Sequence, residues 1–150
     1  MQKITPHLWY DGCAKEAVDF YLSIFPESRI RATSYYPSEG LADFQKNLAG
    51  KELTVDFELS GQRFTAINAG PEFKFNESVS FLIACKDQEE VDYYWNTLTA
   101  SGGRESQCGW LKDKYGLSWQ VIPENMEELI KKPNGFANLM KMKKIIIADF

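Results

Sequence analysis

Short runs in which apolar and polar residues alternate recur along the chain, and this period of two predicts β-strands. The clearest run is 52–59, where Leu53, Val55, Phe57 and Leu59 fall on one face. The segment 78–85 is almost continuously apolar, which predicts a strand buried on both faces. Strands are predicted over 4–10, 28–36, 52–59, 63–69, 78–85, 104–107, 108–111 and 117–122.

Apolar residues three and four positions apart predict two longer helices. The first covers 14–25, and Pro26 ends it because proline has no amide hydrogen for the helical ladder. Asp87 is the predicted N-cap of the second helix, which runs to about Ala100, and Glu90 is its capping-box partner. Shorter helices are predicted over 124–132 and 136–144. The apolar stripe of the first helix comprises Ala14, Ala17, Val18, Tyr21 and Phe25.

The order of these elements repeats. Residues 16–21 match 90–94 at an offset of 73 (91 − 18), and 61–67 match 116–122 at an offset of 55 (116 − 61). The first half therefore carries extra residues, which the irregular segment 37–50 can supply. We predict an α+β fold of two βαβββ modules, about 1–72 and 73–123, followed by C-terminal helices in 124–150. The modules are expected to form one curved mixed sheet with outer helices and a cleft on its concave side.

Residues 108–123 read as a hairpin with a polar turn over 112–116. Gly116 is free to adopt the positive φ that such a turn requires. Gln120 is the one amide on an aromatic-rich strand, and alternation turns it away from the face on which Trp119 packs. We expect Trp119 to lie in the core. Trp110 and the loop around Phe73 and Phe75 are expected to line a pocket or a dimer contact.

Composition narrows the class of protein. A chain of 150 residues suits one domain, and a net charge of −4 argues against nucleic-acid binding, which needs a basic face. No apolar run approaches the roughly 18 residues of a membrane span, so no membrane partner is expected. The three cysteines have neither metal-site nor disulfide-framework spacing. Reduced cysteines are typical of the cytoplasm, where we expect the protein to reside.

Several longer motifs resemble one known family across nearly the whole chain. They are ITPHLWYDG (4–12), GQRF (61–64), NAGP (68–71), FKFN (73–76), CGWLKD (108–113) and YGLSWQ (115–120). The chain resembles the PhnB-like proteins, often filed under the name 3-demethylubiquinone-9 3-methyltransferase. These belong to the vicinal oxygen chelate superfamily, with its glyoxalase and bleomycin-resistance members. The resemblance implies a homodimer.

The resemblance also implies a site. Superfamily enzymes hold a divalent metal in the cleft through ligands from the first and last strands of each module. Carried over by position, these are His7, Thr65, Ser80 and Gln120, and we add Trp9 and Trp110 as lining residues. Only His7 is a good ligand for a first-row metal, so no resident cofactor is expected, and a divalent metal at His7 is the alternative. His7 is otherwise a half-buried histidine bonded to backbone or Gln120, or a polar anchor or general base.

Three functions follow from these expectations. The first is binding of a small, partly apolar molecule in the cleft, with catalysis open. The second is a metal-dependent enzyme of glyoxalase or dioxygenase type, and the third is a bleomycin-type drug-binding resistance protein. The methyltransferase name is not supported by the residues. A dinucleotide-type methyltransferase fold needs a glycine-rich turn opening its first helix, and residues 11–14 contain only Gly12.

Overall fold

A computed structural model describes residues 2–150. The chain divides into two compact units, Met1–Lys74 and Phe75–Phe150. No helix in the described range is both long enough and apolar enough to cross a bilayer. Each unit contains one four-stranded mixed sheet and one long helix.

The first unit follows the order strand, helix, three strands. Its sheet has the order β1-β4-β3-β2, in which β1 and β4 are parallel and the other neighbours are antiparallel. A 3₁₀ helix, Asp43–Leu48, lies between β2 and β3. The elements are β1 His7–Asp11, α1 Ala14–Ile24, β2 Arg29–Tyr35, β3 Glu52–Leu59 and β4 Gln62–Ala69.

The second unit repeats this order, with sheet order β5-β8-β7-β6 and β5 parallel to β8. It continues into two short helices and a final 3₁₀ turn, Ile147–Asp149. Another 3₁₀ turn, Ala100–Gly102, follows its long helix. The elements are β5 Ser80–Cys85, α2 Gln88–Thr99, β6 Arg104–Glu105, β7 Trp110–Lys112, β8 Ser118–Pro123, α3 Met126–Ile130 and α4 Gly135–Leu139.

The predicted α+β class with two βαβββ modules is confirmed, and backbone pairing resolves the sheet into two, one in each unit. The predicted bounds of β3 match those observed, because its period-two pattern is unbroken and Ser60-Gly61 turns the chain immediately after it. The two long helices lie within one or two residues of their predicted bounds. Asp87 caps α2 as predicted, since its Oδ1 accepts the Glu90 amide at 2.9 Å.

The core of the first unit lies between α1 and one face of its sheet. The predicted stripe is buried from Ala14 to Tyr21, and it packs on Phe57 of β3. Phe57 stacks with Tyr21 at a centroid distance of 6.4 Å and with Phe64 at 5.5 Å. The Tyr10 hydroxyl donates to Tyr21 Oη at 3.0 Å. Burial of such side chains is worth about 1.5–3 kcal/mol each, so these rings dominate the stability of this unit.

In the second unit, α2 buries Val91, Tyr94, Trp95 and Leu98. Trp119 is 3 % exposed, which confirms its prediction as a core residue. The Trp95 indole, also buried, donates its N–H to Glu105 Oε1 at 2.6 Å. A large side chain with one polar atom is thus buried without leaving that atom unpaired.

Two expectations about this unit are wrong. The segment 78–85 is not buried on both faces: β5 is an edge strand with one covered face, and Leu82 is 56 % exposed. The helix predicted over 136–144 ends at Leu139. Beyond it the chain pairs with the hairpin instead, as the Cys108 and Gly109 amides donate to the carbonyls of residues 142 and 143 at 2.8 Å. This pairing buries Ile145 completely, which a continued helix would not require.

Candidate functional site

The first unit contains a cavity of about 590 Å³ at the end of its sheet. Volumes of this size are typical of sites for small molecules. Aromatic and aliphatic side chains form most of its wall, with a few polar groups among them. The lining residues are Trp9, Asp11, Gly12, Tyr36, Phe44, Gln45, Asn47, Leu48, Lys51, Leu53, Ile67, Asn68, Ala69, Gly70, Pro71, Glu72 and Phe73.

One wall is built around Trp9. Its neighbours Leu8 and Tyr10 are buried in the core, so alternation along β1 places Trp9 on the sheet face opposite α1. The indole Nε1 donates to the Gly70 carbonyl at 2.9 Å. The ring meets Phe73 edge-on, with 4.8 Å between centroids and 76° between planes. Trp9 is therefore held in place by both a hydrogen bond and an aromatic contact.

Another part of the cavity wall comes from segment 37–50. Its ends are tied together, because the Tyr36 amide donates to the Lys51 carbonyl at 2.8 Å and the Gly50 amide to the Tyr36 carbonyl at 3.2 Å. The excursion is thus a compact Ω-loop closed at its neck. Its 3₁₀ helix buries Leu48 to 8 % exposure and leaves Phe44 73 % exposed at the cavity rim. The extra residues of the first module form one wall of the cavity.

Asn68 is a buried amide that ties together the elements around the cavity. Its Oδ1 accepts the Ala14 amide at 3.2 Å, its Nδ2 donates to the Glu52 carbonyl at 2.9 Å, and its own carbonyl accepts the Tyr36 hydroxyl at 2.6 Å. Asn68 is 4 % exposed. It therefore joins the first turn of α1, the start of β3 and the cavity wall in one network. The orientation of the Tyr36 ring depends on this network.

Burial raises the pKa of the Tyr36 phenol, and the nearby Glu72 carboxylate raises it further. Tyr36 is therefore neutral at pH 7, and its hydroxyl acts as a hydrogen-bond donor rather than a base. Cys85 and Cys13 are neutral as well. Burial raises the pKa of Cys85 to about 12 and also raises that of Cys13, where Glu16 and Asp11 add to the effect. Neither thiol is activated as a nucleophile.

Three residues of the predicted site, His7, Trp9 and Thr65, lie on one sheet face of the first unit. His7 lies directly opposite Thr65, and both are on the face that carries Trp9. His7 is exposed rather than half-buried, and its Nδ1 lies 3.0 Å from the Thr5 carbonyl, so the expected backbone contact is present. Only Trp9 of these three lines the cavity.

The other three predicted residues, Ser80, Trp110 and Gln120, come together in the second unit. Trp110 lies opposite Gln120 in the β7–β8 ladder, and Gln120 Nε2 donates to Ser80 Oγ at 2.9 Å. A second cavity of about 310 Å³ adjoins Trp110. Its remaining lining residues are Glu77, Arg104, Glu105, Ser106, Leu111, Lys112 and Ser118.

With Ser80 matched to His7, the sheet register gives an offset for the last strand that differs from the one given by the matched motifs. His7 pairs with Thr65, but Ser80 pairs with Ser118, so Ser118 is the register counterpart of Thr65 at an offset of 53 (118 − 65). The cause is turn length. Leu59 and Gln62 flank a two-residue turn, whereas Lys112 and Ser118 flank five residues. Gln120 lies two positions further along, on the same face as Ser118.

The motifs that suggested a family are matched by comparison with known proteins. The model of the 3-demethylubiquinone-9 3-methyltransferase family matches residues 2–122. The chain belongs to this family. The PhnB protein from Bacillus cereus, which carries the same family name, is 33 % identical over 81 % of this chain and 99 % of its own, with a TM-score of 0.70. No curated protein sequence matches the chain.

More distant structures share the fold of this PhnB-like family. Protein PA1353 from Pseudomonas aeruginosa is 19 % identical, with a TM-score of 0.65 over 83 % of this chain and 98 % of its own. The fosfomycin resistance protein FosX from Listeria monocytogenes, in a structure with Mn(II) and sulfate, is 15 % identical with a TM-score of 0.57. That match covers 88 % of this chain and 98 % of FosX. These likenesses show the fold alone.

The resemblance to vicinal oxygen chelate enzymes implies a divalent metal, and the donor chemistry of the carried-over residues does not fit one. The carried-over set of His7, Thr65, Ser80 and Gln120 supplies one imidazole, two hydroxyls and an amide, whereas first-row metals bind three or more imidazole, carboxylate or thiolate groups. The amide nitrogen of Gln120 is already committed to Ser80. Residues 2–150 contain no group of three His, Cys, Asp or Glu arranged to hold a metal ion.

Sequence reasoning identified Trp9 and Phe73 but missed most of the cavity. Phe44 and Leu48 are an apolar pair four residues apart in an otherwise polar segment, a signal that pointed to a contact surface. Asn68 carried another signal. It is an amide on the same face of its strand as Phe64 and Ala66, which are core residues. Glu72 gave no signal of its own.

Proposed function

We propose that this chain binds a small, partly apolar molecule in the cavity of its first unit. The observation that carries the proposal is the aromatic wall itself. Trp9, Tyr36 and Phe73 are held by specific contacts around about 590 Å³, and Asn68 anchors Tyr36 through its carbonyl. A largely apolar cavity with a few convergent polar groups is the usual form of a small-molecule site.

The family name does not extend this proposal to methyl transfer. A doubly wound fold needs successive parallel strands linked by crossover helices and a glycine-rich turn. Each sheet here has a single parallel pair, β1–β4 or β5–β8, and its other neighbours are antiparallel. We therefore assign no reaction to the bound molecule.

Calorimetric titration with a library of aromatic compounds of each charge tests the proposal. Phe44→Ala and Phe73→Ala should weaken any bound compound by roughly 5- to 30-fold, since each removes an apolar contact worth about 1–2 kcal/mol. Phe136→Ala is the matched control, because Phe136 is 60 % exposed, as Phe73 is 64 % exposed, and does not line the cavity. Equal affinity in the wild type and both cavity variants would refute the site.

The family resemblance also supports a homodimer, which we propose as the state in solution. Light scattering after gel filtration should then give about twice the chain mass of 17.2 kDa. A mass of one chain at micromolar concentration would reject the dimer and leave the binding proposal unaffected.

A further inference from the structure

The cavity of the first unit combines aromatic rings with an excess of negative charge. Four of its lining side chains are aromatic, and two carboxylates, Asp11 and Glu72, stand against the single ammonium of Lys51. We propose that the molecule bound there is an organic cation, an amine or quaternary ammonium group carried on an apolar body. This inference rests on the proposed function and names the chemical class of its ligand.

The aromatic side chains supply one half of the argument. A cation near the face of Trp, Tyr or Phe is attracted by the negative potential of the ring, and Trp is the strongest partner. Trp9 is anchored to the Gly70 carbonyl, and Tyr36 is anchored to the Asn68 carbonyl. Both anchors engage the polar hydrogen of the ring. The Trp9 ring is half-buried and Phe44 and Phe73 are exposed at the rim, so these three rings offer most of the apolar, electron-rich surface, while Tyr36 is buried behind them in the wall.

The carboxylate of Glu72 supplies the negative charge that a bound cation needs. Both of its oxygens lie 2.8 Å from the point where a Cβ on Gly70 would stand, so the carboxylate rests directly against the backbone that anchors Trp9. Only glycine permits this approach at position 70 without displacing the Glu72 side chain. Within residues 2–150, Glu72 has no salt bridge to any Lys, Arg or His.

The electrostatics of the wall agree with this placement. The Glu72 carboxylate adds to burial in raising the pKa of the Tyr36 phenol, so its negative field reaches the ring on the cavity wall. A carboxylate next to a tryptophan gives a cation both a counter-charge and a ring face. A neutral or anionic ligand would leave that charge unmatched.

Three probes with one ring system separate charge from apolar contact. They are (1-naphthylmethyl)trimethylammonium, 1-naphthylmethanol and 1-naphthylacetate, titrated into the full chain by calorimetry at low ionic strength. We expect the cation to bind about tenfold or more tightly than either of the others. Glu72→Gln should weaken the cation about 3- to 10-fold, and Lys51→Gln should tighten it, because it removes the only opposing charge in the wall.

Glu39→Gln is the matched control. It makes the same charge change at an exposed residue that does not line the cavity, and it should leave the affinity unchanged. Equal weakening by Glu39→Gln and Glu72→Gln would overturn the inference, because the attraction would then be that of the whole surface. Equal binding of all three probes, or tightest binding of 1-naphthylacetate, would overturn the cation while leaving the proposed function standing. Binding of none of them would overturn both.

Discussion

At the scale of single residues, Asp113 is a buried carboxylate outside the cavity that accepts three hydrogen bonds. It is 2 % exposed. Its Oδ1 accepts the amides of Tyr115 and Leu117 at 2.8 and 3.1 Å, and its Oδ2 accepts the Trp119 indole N–H at 2.9 Å. One carboxylate therefore shapes the five-residue turn and satisfies a buried tryptophan of the core.

Asp113→Ala should lower the free energy of unfolding by about 2–4 kcal/mol, because it leaves three donors without their buried acceptor. Urea unfolding followed by circular dichroism measures this. Asp19→Ala is the control: Asp19 forms an exposed i,i+4 pair with Lys15 at 2.8 Å, of a kind worth about 0.3–0.5 kcal/mol. A change of less than about 0.5 kcal/mol in Asp113→Ala would contradict the role assigned to this carboxylate.

Gly116 and Asp113 show what can and what cannot be predicted from the sequence alone. Gly116 was predictable as the residue with positive φ in the turn, and its φ is 89°. The burial of Asp113 was not, because it depends on the Trp119 indole folding back over the turn. Trp9 was predictable in the same way as Gly116, from local pattern, while the walls that meet it come from residues 27 to 64 positions later. Alternation predicts on which face a side chain lies but not which loop covers it.

At the scale of elements, the exposed face of the β2–β3 pair carries an ion network. Glu58 receives Arg31 Nη1 at 2.5 Å and Arg29 Nε at 3.2 Å, and these bonds hold the pKa of Glu58 below its usual value of 4.5. A carboxylate whose pKa is lowered by folding stabilises the fold above its unfolded pKa. That contribution is lost as the pH falls through the lower, folded value.

The stability advantage of the wild type over Glu58→Gln should therefore be largest above about pH 4.5 and should shrink as the pH falls toward 3. Urea midpoints at pH 7, 5, 4 and 3 give the comparison. Glu39→Gln, at a site without an ion-pair partner in the described residues, should follow the wild type throughout. Parallel pH profiles for wild type and Glu58→Gln would show that the pairs contribute nothing to folding.

The C-terminal segment shows where element prediction failed and why. Residues 136–144 carry helical spacing, yet the α-helix ends at Leu139, and from residue 142 onward other parts of the chain bond to the backbone. The Gln88 side chain does much of this, since its Nε2 donates to the Ile145 carbonyl at 2.9 Å and its Oε1 accepts the Ile147 amide at 2.8 Å. Local periodicity contains no information about a glutamine 57 residues earlier.

Gln88→Ala should speed hydrogen exchange at the Ile147 amide, which loses its acceptor, by roughly tenfold if the bond contributes about 1.4 kcal/mol. Exchange measured by NMR on the intact chain gives the rate. Gln107→Ala, at an exposed glutamine whose side chain has no bond in the described chain, is the control and should change nothing at Ile147. Unchanged exchange in Gln88→Ala would mean that burial of Ile145 alone holds the segment.

At the scale of the whole molecule, the repeat explains both the success of the fold prediction and the limits of the site prediction. The helices keep one offset, so Val18 and Val91 are both buried at equivalent positions. The two hairpins do not keep that offset, because one has a two-residue turn and the other a five-residue turn. The Ω-loop and the C-terminal segment are present in one unit each. The shared architecture is thus readable from the pattern, and each unit's own additions are not.

The resemblance to vicinal oxygen chelate enzymes also leads to a prediction about the metal content of the whole molecule. His7 is the only histidine of the chain, and with Thr65, Ser80 and Gln120 at the other positions the carried-over site lacks the donors for a first-row ion. Protein purified without chelator should therefore hold less than about 0.1 equivalent of any transition metal by elemental analysis. His7→Phe, which removes the one good ligand, should give the same content. A stoichiometric amount of metal in the wild type that is lost in His7→Phe would contradict this prediction. It would mean that hydroxyl or amide groups complete a metal site with His7.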